Sequence, residues 1–129
     1  MITGLDHIAI AVPDLQAAIA RFANDFGLTF KGAEDVESAA TSTAFFPIED
    51  TQIELVHPLR GKGPIAKHIE KRGPGLHHLA FRTDDIDADV ERLRGLGYQF
   101  TSESPQDGAH NTRVIFIHPK STEGVLIEL

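Results

Sequence analysis

The stretch GLDHIAIAVPDLQAAI, residues 4–19, returns as GLHHLAFRTDDIDADV, residues 75–90. Gly4 matches Gly75, Leu5 matches Leu76, His7 matches His78, Ala9 matches Ala80 and Asp14 matches Asp85, each 71 residues further on. A repeat that occurs only twice does not build a solenoid; it points to duplication of a module inside one domain. With 129 residues the chain is long enough for a sizeable core.

Each copy opens on an alternating, β-branched run, LDHIAIAV or LHHLAFRT, which predicts a strand. Each then meets an aspartate, Asp14 or Asp85, able to cap a helix through its side-chain oxygen. The first helix is expected to put Leu15, Ile19, Phe22 and Phe26 on one face and to stop at Gly27. The second puts Ile86, Val90, Leu93 and Leu96 on one face and stops at Gly97. Strand-like segments follow in both: LTFKGAED, TSTAFFPI and TQIELVHP, then YQFTSES, TRVIFIHP and GVLIEL. Each copy therefore reads β-α-β-β-β. The fold expected is α+β: two paired βαβββ modules forming one cupped, mostly antiparallel sheet. Module 1 spans about 1–58, a connector helix opened by Pro64 about 59–74, and module 2 about 75–129.

Composition narrows the function. A formal charge of −7 argues against a nucleic-acid partner. The absence of cysteine excludes disulfides and thiolate metal sites and suits a reducing cytoplasm. No apolar run is long enough to cross a bilayer, and no leader-like segment opens the chain, so a cytoplasmic protein without a membrane partner is expected.

Strand parity places the chemistry-bearing side chains. His7 shares a face with Leu5, Ala9 and Ala11, whose small side chains leave room on that side; Ile8, Ile10 and Val12 face the helix. His78 shares its face with Ala80 and Arg82, whereas His77 points the other way. Glu54, in QIELV, and Glu128, in VLIEL, correspond across the repeat, each flanked by apolar residues. A buried carboxylate without a partner costs several kcal/mol or is neutralised by protonation. Singly, each of these four residues reads as structural. As two matched pairs, His7 with Glu54 and His78 with Glu128, they form a mixed nitrogen and oxygen set suited to Co, Mn, Ni, Zn or Fe.

The segments DHIAIAV, DTQIELVHPL, PIAKHIEKRGPGLHHLAFRTDDID and HPKSTEGVLIEL closely resemble methylmalonyl-CoA epimerases, of the vicinal oxygen chelate (glyoxalase and bleomycin resistance) superfamily. The resemblance covers nearly the whole chain. It implies one divalent ion, Co²⁺ first and Mn²⁺, Ni²⁺ or Zn²⁺ otherwise, held by His7, Glu54, His78 and Glu128. It also implies a homodimer and an acyl-CoA substrate, (R)- or (S)-methylmalonyl-CoA. The chemistry implied is a 1,1-proton transfer through an enolate that the metal stabilises, with acid/base groups on opposite faces of the carbon. Glu128 is the first choice for one of them. Some relatives carry a further glutamate as the other, where this chain has Thr43; Glu54 or a water is then left to fill that role.

Arg60, Lys62, Lys67, Lys71 and Arg72 crowd one stretch of an otherwise acidic chain. Lys67 and Lys71 share a helical face and, with Lys120 and Ser121 of HPKS, are candidates for the CoA phosphates. A solvated helix with cations near its C-terminus explains the cluster equally well. His57 and His118, each before a proline, read as turn residues. The rival functions are a glyoxalase I-type lyase acting on a glutathione hemithioacetal, a three-ligand Fe(II) extradiol dioxygenase, and a metal-free small-molecule binding protein of the same fold. The complete quartet argues against the last two.

Overall fold

The computed structural model describes all 129 residues. In chain order the strands and α-helices are β1 (Ile2–Ala11), α1 (Leu15–Ala20), β2 (Ala33–Val36), β3 (Thr41–Ile48), β4 (Thr51–Pro58), α2 (Pro64–Arg72), β5 (Gly75–Thr83) and α3 (Ile86–Gly95). The short strands β6 (Gln106–Asp107), β7 (Arg113–Val114), β8 (Phe116–Ile117) and β9 (Ile127–Glu128) complete it. The class is α+β, with mostly antiparallel pairing and few helices. The chain forms two compact units, His7–His77 and Met1–Asp6 with His78–Leu129.

In the His7–His77 unit the strand order is β2-β3-β4-β1. β2, β3 and β4 are antiparallel neighbours, and β4 lies parallel to β1. β3 and β4 match the segments expected from sequence, TSTAFFPI and TQIELVHP, residue for residue. α1 begins where Asp14 accepts a hydrogen bond from the Ala17 amide at 3.0 Å. It then loosens into a π-helical turn over Arg21–Asp25, and Gly27 ends it with a φ of +72°. The wider turn explains one departure from expectation. Leu15, Ile19 and Phe22 pack on the core, whereas Phe26, past the wider turn, is 60% exposed and meets the Phe22 ring edge-on at 5.1 Å.

The helix-facing side of this sheet buries Val12, Ala44, Phe46 and Leu55 against α1. Phe46 is fully buried, its ring 5.8 Å from that of Phe22 and 5.5 Å from that of Phe30. Phe46→Ala is expected to cost about 3–5 kcal/mol, seen as a lowered urea midpoint at unchanged slope. On the opposite side Ala9 and Ala11 are fully buried with Val56 under Ile65 of α2. The room expected beside these alanines is thus filled at that end by the connector helix. Pro64 opens α2 at its first turn, where no backbone donor is lost.

In the other unit the order is β1-β5-β9-β8, with β5 parallel to β9 and β9 antiparallel to β8. Asp85 caps α3 through the Ala88 amide at 3.1 Å. Ile86, Val90 and Leu93 pack with Phe81, Ile115, Ile117 and Leu129. Leu96 does not join them. It is the residue that closes the helix, past the last full turn, and is 68% exposed. The strands expected here are shorter. YQFTSES contributes one bridge, Phe100 to Ile117. TRVIFIHP divides into β7 and β8 because its two ends have different neighbours: β7 pairs with β6, whereas β8 pairs with β9, a ladder that Ile115 and Leu129 extend by exchanging both backbone hydrogen bonds. Asp89 of α3 is almost wholly buried; the Thr83 hydroxyl, then Arg92, hold its carboxyl below the usual range against the opposing effect of burial.

Candidate active site

The register of each unit shows why the histidines and glutamates meet in pairs. Paired residues on adjacent strands point to the same face. In the first unit Ala9 of β1 pairs with Glu54 of β4, and Glu54 with Phe45 of β3. In the second, Ala80 of β5 pairs with Glu128 of β9, and Glu128 with Phe116 of β8. Each unit thus carries one row of alanine, glutamate and phenylalanine, with a histidine two residues before the alanine. The duplication seen in sequence is a duplication of this row.

His7 Nδ1 stands 3.0 Å from Glu54 Oε2, and both residues are 7% exposed. His78 Nε2 stands 3.6 Å from Glu128 Oε1, and Glu128 is likewise 7% exposed. The Phe116 ring meets the His78 imidazole edge-on at 5.1 Å between centroids and fixes its tilt. The first pair has a partner that sequence reading overlooked. Gln52 donates from Nε2 to Glu54 Oε2 at 2.8 Å. Parity was its only signal: Gln52 lies two residues before Glu54 and so on the same face of the strand.

The donor chemistry fits a divalent ion. Each pair offers one imidazole and one carboxylate in a dry setting, where charged carboxylates need positive charge nearby. On β1 and β5 the residue two places after each histidine is only an alanine, Ala9 or Ala80.

The remaining candidates fall elsewhere. His57 Nδ1 is 3.0 Å from the Val12 carbonyl, and the Lys120 amide donates to His118 Nδ1 at 3.1 Å, so both are turn residues. His77 packs edge-on against His68 of α2, 4.7 Å between centroids, away from the His78 face. Burial, then nearby Arg72, lowers the His68 pKa. Arg60 is taken by Glu37 through two hydrogen bonds of 2.7 and 2.9 Å, which depress the Glu37 pKa. Lys67, Lys71 and Lys120 are exposed, whereas Ser121 Oγ accepts from the Gln99 amide at 3.0 Å. Thr43 is 4% exposed and points to the Glu54 face, because Thr43 pairs with Val56 two residues from Glu54.

Residues 6–116 match the model of the glyoxalase/bleomycin resistance protein/dioxygenase superfamily, and the chain belongs to that superfamily. Within it, the similar proteins include methylmalonyl-CoA epimerases. An ethylmalonyl-CoA/methylmalonyl-CoA epimerase of Cereibacter sphaeroides is 40% identical over 131 residues, covering 100% of this chain and 98% of its own length. The human mitochondrial methylmalonyl-CoA epimerase is 40% identical over 97% of this chain and 72% of its own. The crystal structure of the Mycobacterium tuberculosis methylmalonyl-CoA epimerase superposes with a TM-score of 0.94 at 41% identity, covering 99% of this chain and 87% of that one. Enzymes of this superfamily commonly use a divalent metal. No helix is long and apolar enough to cross a membrane.

Proposed function

We propose that this protein is an epimerase that interconverts (R)- and (S)-methylmalonyl-CoA by proton transfer at C2, with a divalent ion held by His7, Glu54, His78 and Glu128. The observation that carries the reading is the matched pair of rows, each presenting a buried imidazole beside a buried carboxylate. Relatives at about 40% identity that bear the epimerase name support the substrate, as does a solved relative, 33% identical with a TM-score of 0.96, in complex with methylmalonyl-CoA.

When bound, the ion supplies Lewis-acid stabilisation of the negative charge that develops on the thioester oxygen. Co²⁺ is the first candidate, with Mn²⁺, Ni²⁺ and Zn²⁺ behind it, and the whole chain acts as one domain in a homodimer. Gln52 and His7 together fix one oxygen of the Glu54 carboxylate, which keeps that side chain in a single orientation. Glu128 takes the C2 proton from one epimer and returns a proton to that same face when the reaction runs backward. The exposed ammonium groups of Lys67 and Lys71, one turn apart on α2, and of Lys120 meet the CoA phosphates, with the Ser121 hydroxyl as a further donor. The test is solvent exchange. Metal-loaded protein in D₂O is expected to wash deuterium into C2 of methylmalonyl-CoA starting from either epimer, followed by proton NMR. Exchange no faster than in buffer alone would overturn the reading.

A further inference from the structure

C2 of the substrate carries a hydrogen, a carboxylate, a thioester carbonyl and a methyl group. Proton transfer aims the hydrogen at Glu128, and the two oxygen-bearing groups are matched by positive charge. The methyl group is the apolar remainder, and it needs an apolar surface close to that same carboxylate. We propose that this surface is the ring of Phe116, which makes Phe116 the residue that sets how large a C2 alkyl group is accepted. The inference rests on the epimerase reading above and adds a specificity-determining residue to it.

The register puts Phe116 at the right place. Glu128 pairs with Ala80 on one side and Phe116 on the other, so all three side chains leave the sheet on one face. The next row on that face holds His78 and Leu126, because the Leu79 amide donates to the Leu126 carbonyl at 3.3 Å and carries the parallel pairing one residue further. Phe116 and His78 are thus two strands and one row apart, a backbone separation of roughly 12 Å. Their rings nevertheless stand 5.1 Å apart, nearly perpendicular at 88°. The two side chains span that gap by leaning toward each other across β9. The Phe116 ring therefore lies over the stretch between Leu126 and Glu128, alongside the carboxylate. Glu128 reaches the same imidazole, with Oε1 at 3.6 Å from His78 Nε2. Ring and carboxylate converge on one histidine.

Exposure selects Phe116 from the apolar members of the two rows. Ala80, on the other flank of Glu128, is 2% exposed and has only a methyl to offer. Phe45, the counterpart of Phe116 beside Glu54, is also 2% exposed, its ring already enclosed by the protein. Phe116 is half-buried, so the phenylalanine beside the proposed base is the one with ring surface left for a ligand. Packed against His78, that ring is a wall of fixed position. A methyl group fits against such a wall, and a longer alkyl group must displace it. One methylene in an apolar pocket is worth about 10–200-fold in selectivity.

The experiment measures deuterium wash-in at C2 of methylmalonyl-CoA and of ethylmalonyl-CoA, one methylene longer, with Co²⁺-loaded wild type, Phe116→Leu and Phe116→Ala. The ratio of the two kcat/KM values is expected to move toward ethylmalonyl-CoA by about 10-fold or more in Phe116→Ala, with Phe116→Leu between it and wild type. The ratio separates this role from a structural one. A ring that served only to hold His78 would, on removal, slow both substrates alike, and calorimetric titration with Co²⁺ reads that loss separately. Phe116→Leu keeps a bulky apolar side chain and carries the test if Phe116→Ala does not melt cooperatively. A ratio within about threefold of wild type in every folded variant, or one that moves toward methylmalonyl-CoA, overturns the assignment. Failure of the epimerase reading looks different, since the wild type itself would then exchange neither substrate.

Discussion

Glu128→Gln is expected to slow epimer interconversion by roughly 10²–10⁴-fold while leaving the fold intact. Glutamine keeps the shape of the side chain in its row between Ala80 and Phe116, so the neighbours need not move. It cannot accept a proton, and it removes one negative charge from the set that holds the ion. Both losses fall on the chemical step. The check is deuterium incorporation at C2 beside far-ultraviolet circular dichroism and a thermal melt. A rate within tenfold of wild type, in a protein that still melts cooperatively, would remove Glu128 from the proton-transfer role.

Chelation should have an effect of similar size on exchange and an independent effect on stability. An ion that binds only the folded chain stabilises it by about 2.7 kcal/mol at a hundredfold excess over its dissociation constant. For a chain of this length that amounts to a fall in Tm of roughly 10 °C on removal of the ion. Chelator-treated protein should therefore melt earlier and exchange at the background rate, and Co²⁺ should restore both. His7→Ala should abolish the shift, because it leaves Glu54 without its imidazole partner. Equal melting temperatures and equal exchange with and without chelator would show that the two pairs hold no functional ion.

Much of the fold was legible because it is written locally. Strand parity correctly divided β1 into a helix-facing side, Ile10 and Val12, and a side shared by His7, Ala9 and Ala11. Asp14 and Asp85 cap their helices because an aspartate before an amphipathic run can reach the third amide regardless of what surrounds it. The failures were of another kind. Phe26 fits a regular helical face, but a π-turn depends on how the chain packs after Ala20. TRVIFIHP satisfies a continuous strand pattern, yet its first residues pair with β6 and its later ones with β9, a choice of neighbours that no local pattern records.

Sequence alone determined that there are two copies of one module, and that each copy carries an imidazole and a carboxylate on definite faces of its strands. A period of two residues follows from backbone geometry and needs no knowledge of neighbours. Only the tertiary structure decided which side chains stand in one row: Ala9 with Glu54 and Phe45, Ala80 with Glu128 and Phe116, Thr43 with Glu34. Register between strands is set by how whole faces bury against their helices, and sliding a strand by one residue would turn every one of those groups to the opposite side.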